Sequence, residues 1–194
     1  MNPVDILNTG GILLYPTDTL YGLGVDALNV EALKKLRTLK GRDEGKPISV
    51  VVADITMAEE YAELTPLAKK LAENFLPGKL TLILNAKETL PKELTAGTGT
   101  IGIRIPNHLL CLNIAREFGR PYTATSANVS GMNPKHSVPE ILAQFGAEAH
   151  MIGRAIDVGE LLESLPSTVV DARGDVPRVL REGVISKEDI LSLI

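Results

Sequence analysis

Lys40-Gly41-Arg42 followed by Lys46-Pro47 places three cations on one short, glycine-punctuated stretch. Between Lys34 and Lys46 there are six basic side chains (Lys34, Lys35, Arg37, Lys40, Arg42, Lys46) against two acids (Asp43, Glu44), although the whole chain carries a net charge of −4. Crowding like charges on one loop raises their mutual repulsion, so the pattern points to an anion held among them, such as a nucleotide triphosphate. The alternative is a solvated helix end. Three further loops carry polar residues where buried strands would not: residues 17–19 (Thr17, Asp18, Thr19), 100–104 (Thr100, Arg104) and 126–137 (Ser126, Asn128, Ser130, Ser137). Together the four supply cations, hydroxyls and an amide, with no His or Cys nucleophile. That mixture suits electrostatic binding of phosphates better than covalent catalysis.

The elements that must position these loops are legible as apolar patterns. Residues 12–15 form a short apolar run ended by Pro16 and read as a buried strand, so residues 17–19 lie beyond a strand end, where open α/β sheets bind ligands; the same residues also favour a purely local turn. Asn29 can cap a helix over 30–39, with Leu33, Leu36 and Leu39 inward and Lys34, Lys35 and Arg37 outward. A β-branched strand is predicted at 48–53, helices at 57–61 and, behind the first-turn proline Pro66, at 66–75, and a strand at 80–84. In the strand predicted over 101–105, Arg104 points away from the face shared by Ile103 and Ile105, and needs an anionic partner from the protein or from a ligand. A helix over 108–118 closes at Gly119, residues 122–125 read as a strand, and 138–145 as a helix. Residues 167–171 and 176–181 suggest a hairpin, and Ser186 caps a short closing helix. The glycines at 22 and 24 belong to no dinucleotide fingerprint. The expectation is an α/β protein forming one domain over residues 1–194.

Composition excludes several classes. Hydrophobic residues make up 44% of the 194, ample for a core, and no stretch resembles a linker or a repeat. No apolar run approaches the roughly 20 residues needed to cross a bilayer, and the N-terminus lacks the features of a signal peptide, so a soluble cytoplasmic protein with no membrane partner is expected. A single cysteine, Cys111, permits no intrachain disulfide and reads as a small core residue. Three scattered histidines give no metal-ligand spacing, so no protein metal site is expected. The acidic total argues against a general nucleic-acid coat but leaves room for a local basic groove.

Residues 16–24 (PTDTLYGLG), the Lys40-Gly41-Arg42 pair with Lys46-Pro47, Pro77-Gly78 before Leu80-Thr81-Leu82, Ser126-Ala127-Asn128-Val129-Ser130-Gly131 and Ser167-Thr168-Val169-Val170-Asp171 occur in an order and spacing that resemble the YrdC/TsaC family, the threonylcarbamoyl-AMP synthases. The resemblance runs from about Ile12 to Gly183. It implies a twisted, mostly open mixed sheet with flanking helices and a concave basic cleft, in the short form that lacks the long form's C-terminal domain. It also implies formation of threonylcarbamoyl-AMP and pyrophosphate from L-threonine, bicarbonate and ATP, with Mg²⁺ on the polyphosphate. Downstream, a tRNA threonylcarbamoyl transferase complex would accept the product, and the resemblance leaves room for contact with tRNA or double-stranded RNA. Carried over by position, Thr19, Arg104, Ser126 and Ser167 would contact threonine, and Arg42, Lys46, Thr100, Asn128, Ser137 and Arg181 would contact ATP. Lys40 and Arg42 would act on the reacting phosphates. Many long-form relatives have a His where this chain has Val51 and an Asn at the place of Lys46. The competing reading is an RNA-binding module without catalysis.

Overall fold

These apolar runs and amphipathic helices assemble into a mixed α/β fold, described for residues 2–193 by a computed structural model. Its helices are α1 (Pro3–Asn8), α2 (Val30–Lys40), α3 (Ile55–Tyr61), α4 (Pro66–Phe75), α5 (Lys92–Thr95), α6 (Leu109–Phe118), α7 (Val138–Phe145) and α8 (Lys187–Leu191). Its strands are β1 (Ile12–Tyr15), β2 (Gly22–Gly24), β3 (Val50–Val51), β4 (Ala62–Glu63), β5 (Leu80–Ala86), β6 (Thr100–Arg104), β7 (Tyr122–Thr123), β8 (Thr125–Ser126), β9 (Ile152–Ala155), β10 (Thr168–Asp171) and β11 (Arg178–Arg181). The caps follow the sequence: the Asn29 side chain accepts from Ala32 N at the start of α2, Thr65 from Ala68 N at the start of α4, and Ser186 closes a capping box on α8.

The strands form two sheets instead of one. The smaller has the order β8-β2-β1-β9, and the larger β11-β10-β5-β6-β3-β7 with β4 also on β5. β5 is the long central strand. β10 runs parallel to it in the register Thr168↔Leu80 to Asp171↔Ile83, and β6 runs antiparallel on its other side with Leu82 opposite Ile103. The strand expected at 122–125 serves both sheets. β7 pairs with β3 in the larger sheet and β8 with β2 in the smaller, the chain changing sheets at Ala124. Of the run 48–53, Val50–Val51 form β3, and the amide of Ile48 goes to the Leu94 carbonyl.

One core cluster joins the inward face of α2 (Leu33, Leu36, Leu39) to β5 and β6, and a second packs Leu13, Tyr15, Cys111, Ile114 and Tyr122 around α1 and α6. The Tyr15 and Tyr122 rings meet edge to face at 5.2 Å. They explain the glycines of β2: a Cβ at Gly22 would lie 2.9 Å from the Tyr15 ring, and one at Gly24 2.9 Å from that of Tyr122. Here glycine makes room for rings.

Arg37 corrects the expected helix pattern. It turns inward and is buried, donating to the carbonyls of Asp43 (2.7 Å) and Lys46 (3.1 Å) in its own loop and of Glu93 (2.6 Å) in α5.

Cys111 sits in the core, its thiol donating to the Pro16 carbonyl at 3.2 Å, and burial pushes it up to about 12. Thiolate is the reactive form. Iodoacetamide near pH 8 should therefore leave the native protein unmodified by mass spectrometry and add one adduct in denaturant; an adduct on the native protein would contradict this burial.

Candidate functional site

β1 delivers the chain to Pro16, after which the Thr17 hydroxyl accepts from the amides of Thr19 (3.1 Å) and Leu20 (3.2 Å) and donates to the Leu20 carbonyl (2.7 Å). This local turn aims Asp18 and Thr19 at the end of β6. There the Arg104 guanidinium donates to Asp18 Oδ1 at 2.5 Å and to Thr19 Oγ1 at 2.7 Å, while Asp18 Oδ2 accepts from Asn107 N at 3.1 Å. The two charged side chains are 12% and 8% exposed, which makes this a buried ion pair. Arg104 Nε remains buried without a protein partner.

α2 ends at Gly41, whose φ of 58° lies in the left-handed region that glycine reaches at least cost. The turn releases Arg42 from the helix. One of its terminal nitrogens donates to the Pro47 carbonyl at 2.6 Å, and its Nε is also buried without a partner. Burial, and after it the Arg37 charge, lowers the Arg42 pKa. On the other side, Arg181 at the end of β11 donates to the Ser167 carbonyl at 2.7 Å, and burial followed by the Arg104 charge lowers its pKa. The Ser167 hydroxyl is shared with that of Thr81 at 2.8 Å. From β8 onward, the Ser126 hydroxyl donates to Asn128 Oδ1, and the Asn128 amide donates to the carbonyls of Val129 and Met132, both at 2.8 Å.

These groups line one cavity of about 790 Å³. Of the residues singled out from sequence, it brings together Thr19, Arg42, Arg104, Ser126, Asn128, Ser167 and Arg181. Four others are not in its lining. Lys46 is exposed, although its neighbour Pro47 lines the cavity, and Thr100 lies at the opposite end of β6 from Arg104, four residues or roughly 13 Å away at strand rise. Ser137 is turned to Glu140 at 2.9 Å. Lys40 is buried behind the wall, its ammonium donating to the carbonyls of Ser126 and of Asn128, the latter at 2.7 Å. The open choice over Arg104's partner resolves to a carboxylate from the protein, with Nε left over.

The lining also contains Thr81, His136, Glu140, Glu160 and Glu163, which sequence reasoning did not select. Glu160 and Glu163 come from the Leu-rich acidic stretch after β9. Its alternation of acids and leucines was the available signal, and nothing local showed that it passes the cavity: the Tyr21 hydroxyl donates to the Gly159 carbonyl at 2.8 Å, and Leu161 N to that of His136 at 2.9 Å. Among the described residues no group of three His, Cys, Asp or Glu side chains is arranged to hold a metal ion. Chemically, the cavity offers three guanidiniums, with Arg181 in the field of Arg104 and Arg42 in that of Arg37 behind it, two of the three having an unused buried donor, and a set of hydroxyls. Such an arrangement binds anions and orients them.

Residues 5–183 match the Sua5/YciO/YrdC family model, described as telomere recombination. The chain is 39% identical to a threonylcarbamoyl-AMP synthase of Bacillus subtilis over 97% of its own length, and spans 54% of that relative. It is 40% identical to a putative threonylcarbamoyl-AMP synthase of Methanocaldococcus jannaschii, covering 93% of this chain and 83% of the relative. In three dimensions it superposes on P. abyssi Sua5 complexed with L-threonine with a TM-score of 0.91 at 34% identity, covering 98% of this chain and 56% of that one.

The buried Asp18–Arg104 pair carries a stability consequence. Removing one partner of a buried pair strands the other charge, at a cost of about 3–5 kcal/mol. Asp18→Ala should lower the urea midpoint accordingly with an unchanged slope. A midpoint equal to the parent's would remove the pair as a determinant of the site.

Proposed function

The chain belongs to the Sua5/YciO/YrdC family, and from this premise we propose that it condenses L-threonine, bicarbonate and ATP into threonylcarbamoyl-AMP with release of pyrophosphate. The carrying observation is the convergence of Arg42, Arg104 and Arg181 on one cavity, with the Nε atoms of Arg42 and Arg104 buried and unpartnered. Buried donors of this kind are costly unless a ligand completes them. Arg104, with Thr19, Ser126 and Ser167 beside it, holds the threonine carboxylate and hydroxyl. Arg42, Asn128 and Arg181 hold the nucleotide, guanidinium being suited to phosphate oxygens through its planar fork. Mg²⁺ arrives with the polyphosphate as part of the substrate, a role in which it keeps phosphate and water ligands and needs no protein cage.

The threonine amine adds to bicarbonate, losing water, to give a carbamate. A carbamate oxygen then attacks the α-phosphorus, the bond to the bridging oxygen breaks, and pyrophosphate leaves. This is adenylyl transfer to N-carboxythreonine. The protein's part is to align the two reactants and to balance the charge developing on the phosphates. Asp18 is committed to Arg104 and to Asn107 N, so its role is to orient the guanidinium rather than to remove a proton. The labile product requires a transferase that consumes it, here the enzyme that threonylcarbamoylates tRNA, in the cytoplasm; among the described residues no helix is long and apolar enough to cross a membrane.

The test is incubation of purified protein with ATP, Mg²⁺, bicarbonate and L-threonine. Pyrophosphate and the adenylate should appear only when all are present. Release that is indifferent to threonine or bicarbonate would reject the synthase, and RNA affinity falling steeply with salt in the absence of turnover would favour the binding module. Arg104→Gln should raise the KM for threonine by about ten- to a hundredfold, the equivalent of a lost charged hydrogen bond of about 1.5–3 kcal/mol. Serine should be used less efficiently by about 1–3 kcal/mol if an apolar contact receives the threonine methyl. Equal turnover of the two amino acids would discard that contact.

A further inference from the structure

Lys40 closes α2, yet its side chain points into the protein and is 2% exposed. Its ammonium donates to the carbonyls of Ser126 and Asn128, and its own carbonyl accepts from Ser130 N at 2.8 Å. Residue 40 is thus tied to both ends of the loop that follows β8. No carboxylate pairs with it among the described residues. A buried ammonium without a counter-ion costs several kcal/mol, and a methionine of similar length would fill the same space more cheaply if packing were all that was required. What an ammonium supplies and a methionine does not is donors for carbonyls that an irregular loop leaves outside any ladder.

The two carbonyls belong to the residues whose side chains face the cavity. The Ser126 hydroxyl and the Asn128 amide are joined to each other and, through Asn128, to the carbonyls of Val129 and Met132. Holding the backbone at 126 and 128 therefore fixes which way both polar groups point. Lys40 itself is not among the residues that line the cavity.

We propose that Lys40 is a positioning residue: it sets the Ser126–Ser130 loop from behind, so that the Ser126 and Asn128 side chains keep their orientation, and it does not touch the triphosphate. Burial, and after it the Arg42 charge, pushes the Lys40 ammonium down to about 7, in keeping with a cation held by neutral carbonyls alone. The loop-setting part stands on geometry; only the kinetic part of the test rests on the synthase reading.

Reductive methylation of the unmodified protein, with and without inorganic pyrophosphate, tests the placement. Exposed Lys46 should be labelled and Lys40 should resist in both conditions. Labelling of Lys40 in the free protein that pyrophosphate suppresses would overturn the proposal. Amide hydrogen exchange of ligand-free Lys40→Met tests the loop. Residues 127–132 should exchange at least tenfold faster than in the parent while β5 and β6 keep their protection, and Arg42→Met should leave the loop unchanged. Unaltered exchange in Lys40→Met, with the protein folded, refutes the proposal; if that variant does not fold, the methylation result decides. In the synthase assay, Lys40→Met should lower kcat and raise the KM for threonine and for ATP together, since Ser126 and Asn128 serve different substrates. An increase in the KM for ATP alone would mean direct triphosphate contact. Should the parent show no synthase activity at all, the methylation and exchange results still bear on the brace.

Discussion

A cation taken out of water has to be given acceptors, and the loops of this site are shaped around that requirement. Buried Arg37 meets three carbonyls, buried Lys40 two, half-buried Arg42 one, and Arg104 a carboxylate and a hydroxyl, while the more exposed Arg181 donates to one carbonyl. The exchange works in both directions, since carbonyls in irregular backbone also need donors. Loops that no sheet ladder could hold are instead pinned by guanidinium and ammonium groups from α2, β6 and β11. Positive charges that repel one another are thereby kept at fixed points before any ligand arrives, which is the condition for electrostatic preorganisation.

Compensation is uneven across the cavity. Arg104 brings its own counter-ion in Asp18, whereas Arg42 and Arg181 rest on neutral carbonyls and each feels a neighbouring guanidinium. A zwitterionic amino acid at Arg104 would meet a nearly balanced pair, and a polyanion at Arg42 and Arg181 would meet charge not yet neutralised. The proposed division between threonine and nucleotide follows that gradient.

Elements set by local pattern were readable from residues alone: β1, α4 and α7 fall where apolar periodicity and a proline or cap place them, and the β10–β11 hairpin follows from its turn. The mixed α/β class follows from the same alternation. What escaped depends on partners distant in the chain. Arg37 looks like an outward residue of an amphipathic helix until Glu93 and the backbone of its own loop come within reach. The Gly22–Gly24 strand is hidden because its two glycines answer to the Tyr15 and Tyr122 rings. Thr19 and Arg42 could be named as polar outliers and Arg181 only through the family resemblance, but their meeting in one cavity depends on two sheets whose order is not written in any single stretch. Lys40 was conspicuous as a charge, while its direction, inward to the 126–130 backbone, depended on a contact 86 residues away.

The chain between Tyr122 and Ser126 has a mechanical consequence. Two residues of it are rungs of the larger sheet and two are rungs of the smaller, joined through Ala124, whose amide is itself bonded to the Ser49 carbonyl at 2.7 Å. Neither sheet can slide or fray at this seam without pulling on the other. The two sheets thus share one covalent segment, and a displacement of either acts directly on the backbone that carries Ser126.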